Sequence, residues 1–172
     1  MIKLETRNLS YSYRAGQAVL NDISLEIYEG SVTVLLGLNG SGKTTLIKVL
    51  TGLLKPLKGT TFIEAKDITQ ISSTELSKLI SYVPQNISDD TDFAVLDYLT
   101  FGRMNTIKFY SSPKSEDYEK AKAVAEELGI IDLLSEKMNE LSGGQRQLVT
   151  IARAVVQDSG IIIMDEPTAS ID

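Results

Sequence analysis

Eight consecutive residues, Gly37-Leu38-Asn39-Gly40-Ser41-Gly42-Lys43-Thr44, constrain this chain more than any other part of it. They lie between two apolar stretches of different period. Before them, Val32-Thr33-Val34-Leu35-Leu36 is a short, nearly continuous apolar run rich in β-branched residues, the pattern of a strand buried on both faces of a parallel sheet. After them, Leu46, Ile47, Leu50 and Leu54 recur at helical spacing, with Gly52 and Pro56 to end the helix. The eight residues match G-x-x-x-x-G-K-[ST]. Glycines let successive backbone N–H groups turn inward around phosphate oxygens, Lys43 adds a point charge, and Thr44 offers a hydroxyl to Mg²⁺. The sequence therefore reads as an α/β fold with a phosphate-binding loop between a strand and a helix.

The rest of the chain is read around that unit. Ile23, Leu25 and Ile27 alternate with polar residues as a half-buried strand, closed by the turn Glu29-Gly30. Gly59 to Ile63 reads as a further strand. Ser72 to Glu75 forms a capping box before a short helix with Leu76, Leu79 and Ile80, and Ser81-Tyr82-Val83-Pro84 is a brief strand. From Gln85 to Leu141 the pattern is helical. Ser115 is the expected N-cap of a helix with Tyr118, Ala121, Ala125 and Leu128 inward and Gly129 at its end, after a loop at Tyr110 to Pro113.

Composition removes whole classes of chemistry. The 172 residues contain no Cys and no His, which excludes thiolate or imidazole metal sites, cysteine nucleophiles and histidine acid/base catalysis within this stretch. Lys+Arg number 17 against Asp+Glu 23, a net charge of −6 that argues against a general nucleic-acid binder. No apolar run approaches the roughly 18 residues that span a bilayer, and Met1-Ile2-Lys3-Leu4-Glu5 lacks the features of a signal peptide.

Two further segments carry chemistry. Asp165-Glu166 ends the apolar run Ile161 to Met164. Beside a phosphate loop, such carboxylates fit a Mg²⁺ partner (Asp165) and a residue that polarises an attacking water (Glu166). By itself an Asp-Glu pair after a strand is more often a solvated turn, and the phosphate loop in the same chain reverses that balance. Leu141-Ser142-Gly143-Gly144-Gln145 is a helix start, with Ser142 and Gln145 as a capping box and Leu148, Ile151, Ala152 and Val155 as the expected buried stripe. Its two glycines expose the first N–H groups of the helix, so the segment is both a cap and a possible anion site.

This stretch resembles the signature motif of the ATP-binding cassette (ABC) ATPase family, and the resemblance extends over essentially the whole chain. It implies a P-loop NTPase core with a mixed, mainly parallel sheet, an antiparallel β subdomain and an inserted helical subdomain. The core would take residues 1–85 and 141–172, and the helical part 86–140. Tyr13 lies where the family stacks an aromatic on adenine. ATP is expected to contact Gly37, Asn39, Gly40, Ser41, Gly42, Lys43, Thr44 and Thr45 on one side and Ser142, Gly143, Gly144 and Gln145 of a second subunit on the other. Thr44, Gln85 and Asp165 would hold Mg²⁺, with Glu166, Gln85 and Lys43 as the catalytic set. Ser170-Ile171-Asp172 resembles the end of the D-loop, with Ala169 where a serine is common.

The resemblance also implies partners. Two copies would pack head to tail and dock on separate permease chains at the inner face of the cell membrane, with a substrate-binding protein acting indirectly and no nucleic acid involved. Phe93 to Asp132 is similar to importer subunits for iron-siderophore, haem and cobalamin-type chelates, with Tyr98 and Arg103 as coupling contacts by position. Other readings are an importer subunit for polar amino acids, zinc or manganese, an exporter subunit, a soluble ABC ATPase acting on the ribosome or nucleic acid, and a nucleotide-binding fragment without turnover. The family continues past the D-loop with another strand and a switch histidine. This chain stops at Asp172, so it is expected to be C-terminally truncated, to bind MgATP weakly and to hydrolyse it poorly.

Overall fold

The computed structural model describes residues 1–14, 16–85, 92–107 and 111–167. The chain divides into two compact units, Met1–Leu76 and Ser77–Asp172.

The first unit is built on an antiparallel sheet. Its strands are β1 (Ile2–Tyr11), β2 (Leu20–Tyr28), β3 (Lys58–Ile63) and β4 (Lys66–Asp67), in the order β2-β1-β3-β4. The alternation expected in β2 is observed, with Ile23, Leu25 and Ile27 half-buried between exposed neighbours. Leu4, Leu9, Leu20 and Ile63 are buried on the inner side. β1 is bulged at Asn8, whose φ is +49°. There its backbone N–H donates to Ser24 Oγ and its side-chain amide to Asp22. Gly59 passes so close to this bulge that a Cβ would lie 2.2 Å from the Arg7 carbonyl oxygen. Helix α1 (Lys43–Leu50) follows the glycine loop and buries Leu46, Ile47, Val49 and Leu50 before Gly52 stops it at a φ of +73°.

One expectation fails in this unit. Residues 31–38 form no strand, and Val32 (93% exposed), Val34 and Leu36 face solvent. A strand buried on both faces needs a hydrogen-bonding neighbour on each side and a layer on each face. The sheet of the first unit ends at β2, so composition alone cannot make this run a strand.

Helix α2 (Ser73–Leu79) is capped as expected: Ser72 Oγ accepts from the Glu75 N–H and Glu75 Oε2 accepts from the Ser72 N–H, both at 3.2 Å. The second unit then contains β5 (Ile80–Val83), α3 (Val95–Thr100), a 3₁₀ turn at Phe101–Asn105, α4 (Ser115–Glu127), α5 (Gly143–Val156) and β6 (Ile161–Met164). β5 and β6 form a parallel pair. Val95, Leu99, Ala121, Val124, Ala125, Met138, Val149, Ala152 and Val156 make one apolar cluster from α3, α4 and α5.

Three details differ from the sequence reading. Ser115 is the first helical residue of α4 rather than its cap; the end is closed by Asp117, which accepts from the Lys114 N–H at 2.9 Å. The buried stripe of α5 is Val149, Ala152 and Val156, while Leu148 is 38% exposed. Both series have helical spacing, and only packing on α3 and α4 selects one of them. The third is exposure: the fully apolar run of β6 is only half-buried, with Ile162 39% exposed.

Candidate functional site

In the first unit the residues expected to meet phosphate converge on the start of α1. Gly40 (φ +79°) and Gly42 (φ +95°) adopt the left-handed backbone that folds the loop. Gly42 is also the N-cap, packed so tightly that a Cβ would lie 3.1 Å from the Val19 carbonyl oxygen. The Lys43 ammonium donates to the carbonyls of Gly37 (2.9 Å) and Leu38 (3.1 Å), which centres its charge inside the turn. The open N–H groups of a helix start and this cation suit an anion. Thr44 and Thr45 follow in the first turn of α1, Thr45 being buried.

Tyr13 is brought to the same place. Its hydroxyl lies 3.2 Å from Thr45 Oγ1, its ring meets Tyr11 edge-on at 5.1 Å, and it remains 58% exposed. Nothing in the spacing of Tyr13 and Thr45 signals this link, which arises only when the end of β1 passes the start of α1.

In the second unit the carboxylates stand at the C-terminal end of β6. Asp165 is 2% exposed, and its N–H donates to the Val83 carbonyl at 3.0 Å. Glu166 takes a left-handed backbone (φ +49°), and its Oε2 accepts from the Gln85 side-chain amide at 2.5 Å. Burial, with the Asp165 charge nearby, pushes the Tyr82 phenol above its ordinary range. Mg²⁺ prefers oxygen ligands, and within this unit the buried Asp165 carboxylate and the Gln85 amide oxygen are donors of that kind. Among the described residues no cluster of three or more acidic side chains would hold a metal without added ligands.

The helix start at Ser142 has the expected cap. Ser142 Oγ accepts from the Gln145 N–H at 3.3 Å, and Gln145 Oε1 accepts from the Ser142 N–H at 2.9 Å. The Gln145 side chain is thus turned back on its own helix. Gly143, with Ser142, is exposed at the end of α5, where the N–H groups have no intrahelical acceptor. Arg103 pairs with Asp117 at 3.3 Å and Tyr98 lies under the Arg153 guanidinium, so both residues expected at a coupling surface are engaged within the helical cluster. The D-loop segment, Ala169 to Asp172, and Tyr110 lie outside the described residues, while Ser111 to Pro113 of the expected loop carry no helix or strand.

Among the described residues no helix is long and apolar enough to cross a membrane. Comparison with known proteins matches residues 20–169 to the ABC transporter family model. The "Probable iron chelatin transport ATP-binding protein" of Helicobacter pylori is 39% identical over 170 residues, covering 98% of this chain and 66% of that protein. The manganese transport system ATP-binding protein MntB of Bacillus subtilis is 39% identical over 174 residues, covering all of this chain and 67% of that protein. A solved nucleotide-free ATP-binding cassette from an ABC transporter is 35% identical with a TM-score of 0.86, covering 99% of this chain and 71% of that one. The chain thus spans about two thirds of the length of such relatives. Its sequence and its α/β fold make it a member of the ABC transporter ATPase family, whose nucleotide-binding domains are P-loop NTPases.

Proposed function

We propose that this chain is the ATP-binding and ATP-hydrolysing part of a membrane importer, acting at the inner face of the cell membrane, with an iron chelate as cargo. The observation that carries the reading is Lys43 centred in the Gly37–Thr44 turn at the start of α1. Lys43 and the loop N–H groups bind the β- and γ-phosphates, and the exposed face of Tyr13 takes the adenine. Thr44, Gln85 and Asp165 hold Mg²⁺. When bound, the metal would neutralise charge on the phosphate oxygens. Glu166 accepts a proton from the attacking water, the acid/base role left to a carboxylate in a stretch without histidine.

In this reading residues 1–85 and 141–172 form the nucleotide-binding core and 86–140 a helical subdomain. The exposed start of α5 at Ser142 to Gln145 closes on the nucleotide held by a second copy, and separate permease chains and a substrate-binding protein complete the importer. The Helicobacter relative supports an iron chelate, and the equally similar manganese relative keeps the alternative of a bare divalent metal. Mg²⁺-dependent ATP binding, measured calorimetrically, is expected for this chain and for Glu166→Gln and to weaken by roughly 10- to 100-fold in Lys43→Ala. Equal binding by all three would overturn the reading. In vesicles carrying the permease chains, ATP-driven uptake of a ferric chelate rather than of Mn²⁺ distinguishes the cargoes.

A further inference from the structure

The parallel pair β5–β6 joins residues 81 positions apart throughout, from Ile80 with Ile161 to Val83 with Met164. Gln85 and Glu166 lie two residues past the ends of these strands, again 81 apart, and their side chains meet at 2.5 Å. The contact between them is a continuation of the ladder's register. A slip of one residue would put Gln85 level with Asp165 or Pro167 and turn one strand's side chains to the opposite face.

The ladder itself specifies that register poorly. β6 reads Ile-Ile-Ile-Met, so sliding it by one position exchanges one isoleucine for another over most of its length. Four residue pairs give few hydrogen bonds to resist a slip. The selection must come from groups outside the ladder.

Such groups gather at the other end of the pair. The Gln157 side-chain amide, just past α5, donates to the carbonyls of Ser77 (2.6 Å) and Ile80 (2.9 Å). The Asn105 amide, from the 3₁₀ turn, donates to the Ser77 carbonyl (3.1 Å) and the Gln157 carbonyl (3.3 Å). On the β6 side, Ser159 Oγ donates to the Ile161 carbonyl at 2.8 Å, which leaves the buried Ser81 hydroxyl to donate to Ser159 at 2.9 Å. Two amides and two hydroxyls thus tie the first residues of β5 and β6 to the end of α5. Each bond has its own direction and length, and a slipped ladder would leave these part-buried donors and acceptors unmatched, a cost that exchanging one isoleucine for another does not carry.

We propose that Gln157, with Asn105, Ser81 and Ser159, is a positioning cluster that sets the β5–β6 register and thereby brings Gln85 level with Glu166. This rests on the catalytic reading of those two residues only for its relevance to hydrolysis. The register itself is testable without nucleotide.

The test uses the full 172-residue chain, nuclear magnetic resonance and amide hydrogen exchange. Gln157→Glu keeps the side-chain length but turns a donor into an acceptor facing two carbonyls. Ser81→Ala with Ser159→Ala removes both hydroxyls together, and with them the bond to the Ile161 carbonyl. Expected for both is an increase of about tenfold or more in exchange at the Asp165 N–H, with loss of the distinct Gln85 side-chain amide resonances. Amides in the first two turns of α5 and throughout α4 should keep their protection. Unchanged Asp165 exchange and Gln85 resonances in either variant would overturn the proposal. So would a uniform loss of protection across the second unit, the mark of a merely structural role. Should Glu166 prove not to be the base, Glu166→Gln would leave hydrolysis intact while these readouts still moved, so the two failures are distinguishable.

Discussion

The side-chain amide of Gln85 donates to the Glu166 carboxylate at 2.5 Å across the ends of two parallel strands. In the proposed mechanism Glu166 is the base and Gln85 the donor that orients it, so substituting each in turn separates chemistry from orientation. Glu166→Gln is expected to lower single-turnover hydrolysis by roughly 10²- to 10⁴-fold, the usual scale of a lost general base, while ATP affinity stays within about twofold. Gln85→Ala should lower the same rate less, because the carboxylate remains. Rapid-quench assays on the assembled ATPase would check both.

Removing the charge inside the phosphate loop acts on affinity. Lys43→Ala deletes the ammonium that bridges the Gly37 and Leu38 carbonyls. A charge-assisted contact to phosphate is worth about 1.5–3 kcal/mol, so ATP affinity should fall by roughly 10- to 100-fold, read by titration calorimetry.

Two glycines with similar backbones should respond differently to alanine. Gly16 (φ +84°) has nothing within 4 Å of a Cβ, whereas at Gly59 (φ +73°) the Cβ would meet the Arg7 and Asn8 carbonyl oxygens at 2.2 and 2.5 Å. Gly16→Ala is expected to cost about 1–2 kcal/mol through backbone conformation alone. Gly59→Ala must also separate β3 from the bulge of β1 and should cost roughly 3 kcal/mol or more. Urea denaturation gives both values.

Gly102 lets the 3₁₀ turn lie directly on α5, where a Cβ would stand 2.6 Å from the Arg153 carbonyl oxygen. Gly102→Ala is expected to destabilise the helical cluster by about 1–3 kcal/mol. Slower exchange in the variant's α5 amides would contradict this.

Asp67 provides a pH test. Its carboxylate accepts from Thr69 Oγ1 at 2.7 Å, the Thr69 N–H at 2.8 Å and Thr60 Oγ1 at 3.0 Å. The Thr69 side-chain bond, followed by its backbone bond, holds the pKa below the ordinary carboxylate range. A depressed folded-state pKa means that the stabilisation is present above the unfolded value of about 3.9 and is lost as pH falls through the lower folded value. The difference in urea midpoint between wild type and Asp67→Ala should therefore hold steady at neutral pH and shrink as the pH falls below about 3.9. A constant difference would show that the carboxylate's charge is not involved.

The parts of this molecule legible in its sequence are those whose signal is local. The Gly37–Thr44 spacing, the Ser142/Gln145 box, the Ser72/Glu75 box and the alternation of Ile23, Leu25 and Ile27 each depend on residues a few positions apart, and each appears where expected. What was not legible depends on distant partners. Leu148 and Val149 have equal claims to the inner face of α5 until α3 and α4 choose between them. Tyr13 with Thr45, and Gln157 with Ile80, have no pattern in one dimension. The sequence marks Asp165 and Glu166 only as candidates for chemistry, and the contact of Glu166 with Gln85 follows from a register that Ile-Ile-Ile-Met does not encode.

The exposed run at Val32 to Leu36 bears on how this protein is made in a cell. From Ser31 to Gly37 the chain has no charge and no proline, and its β-branched, apolar character is that of segments that stack with their own kind. During translation it leaves the ribosome before any residue of β5 or β6. Throughout that interval, neighbouring nascent chains are competitors for its backbone hydrogen bonds. Yield at high expression should therefore depend on chaperone supply more than on the stability of the finished fold.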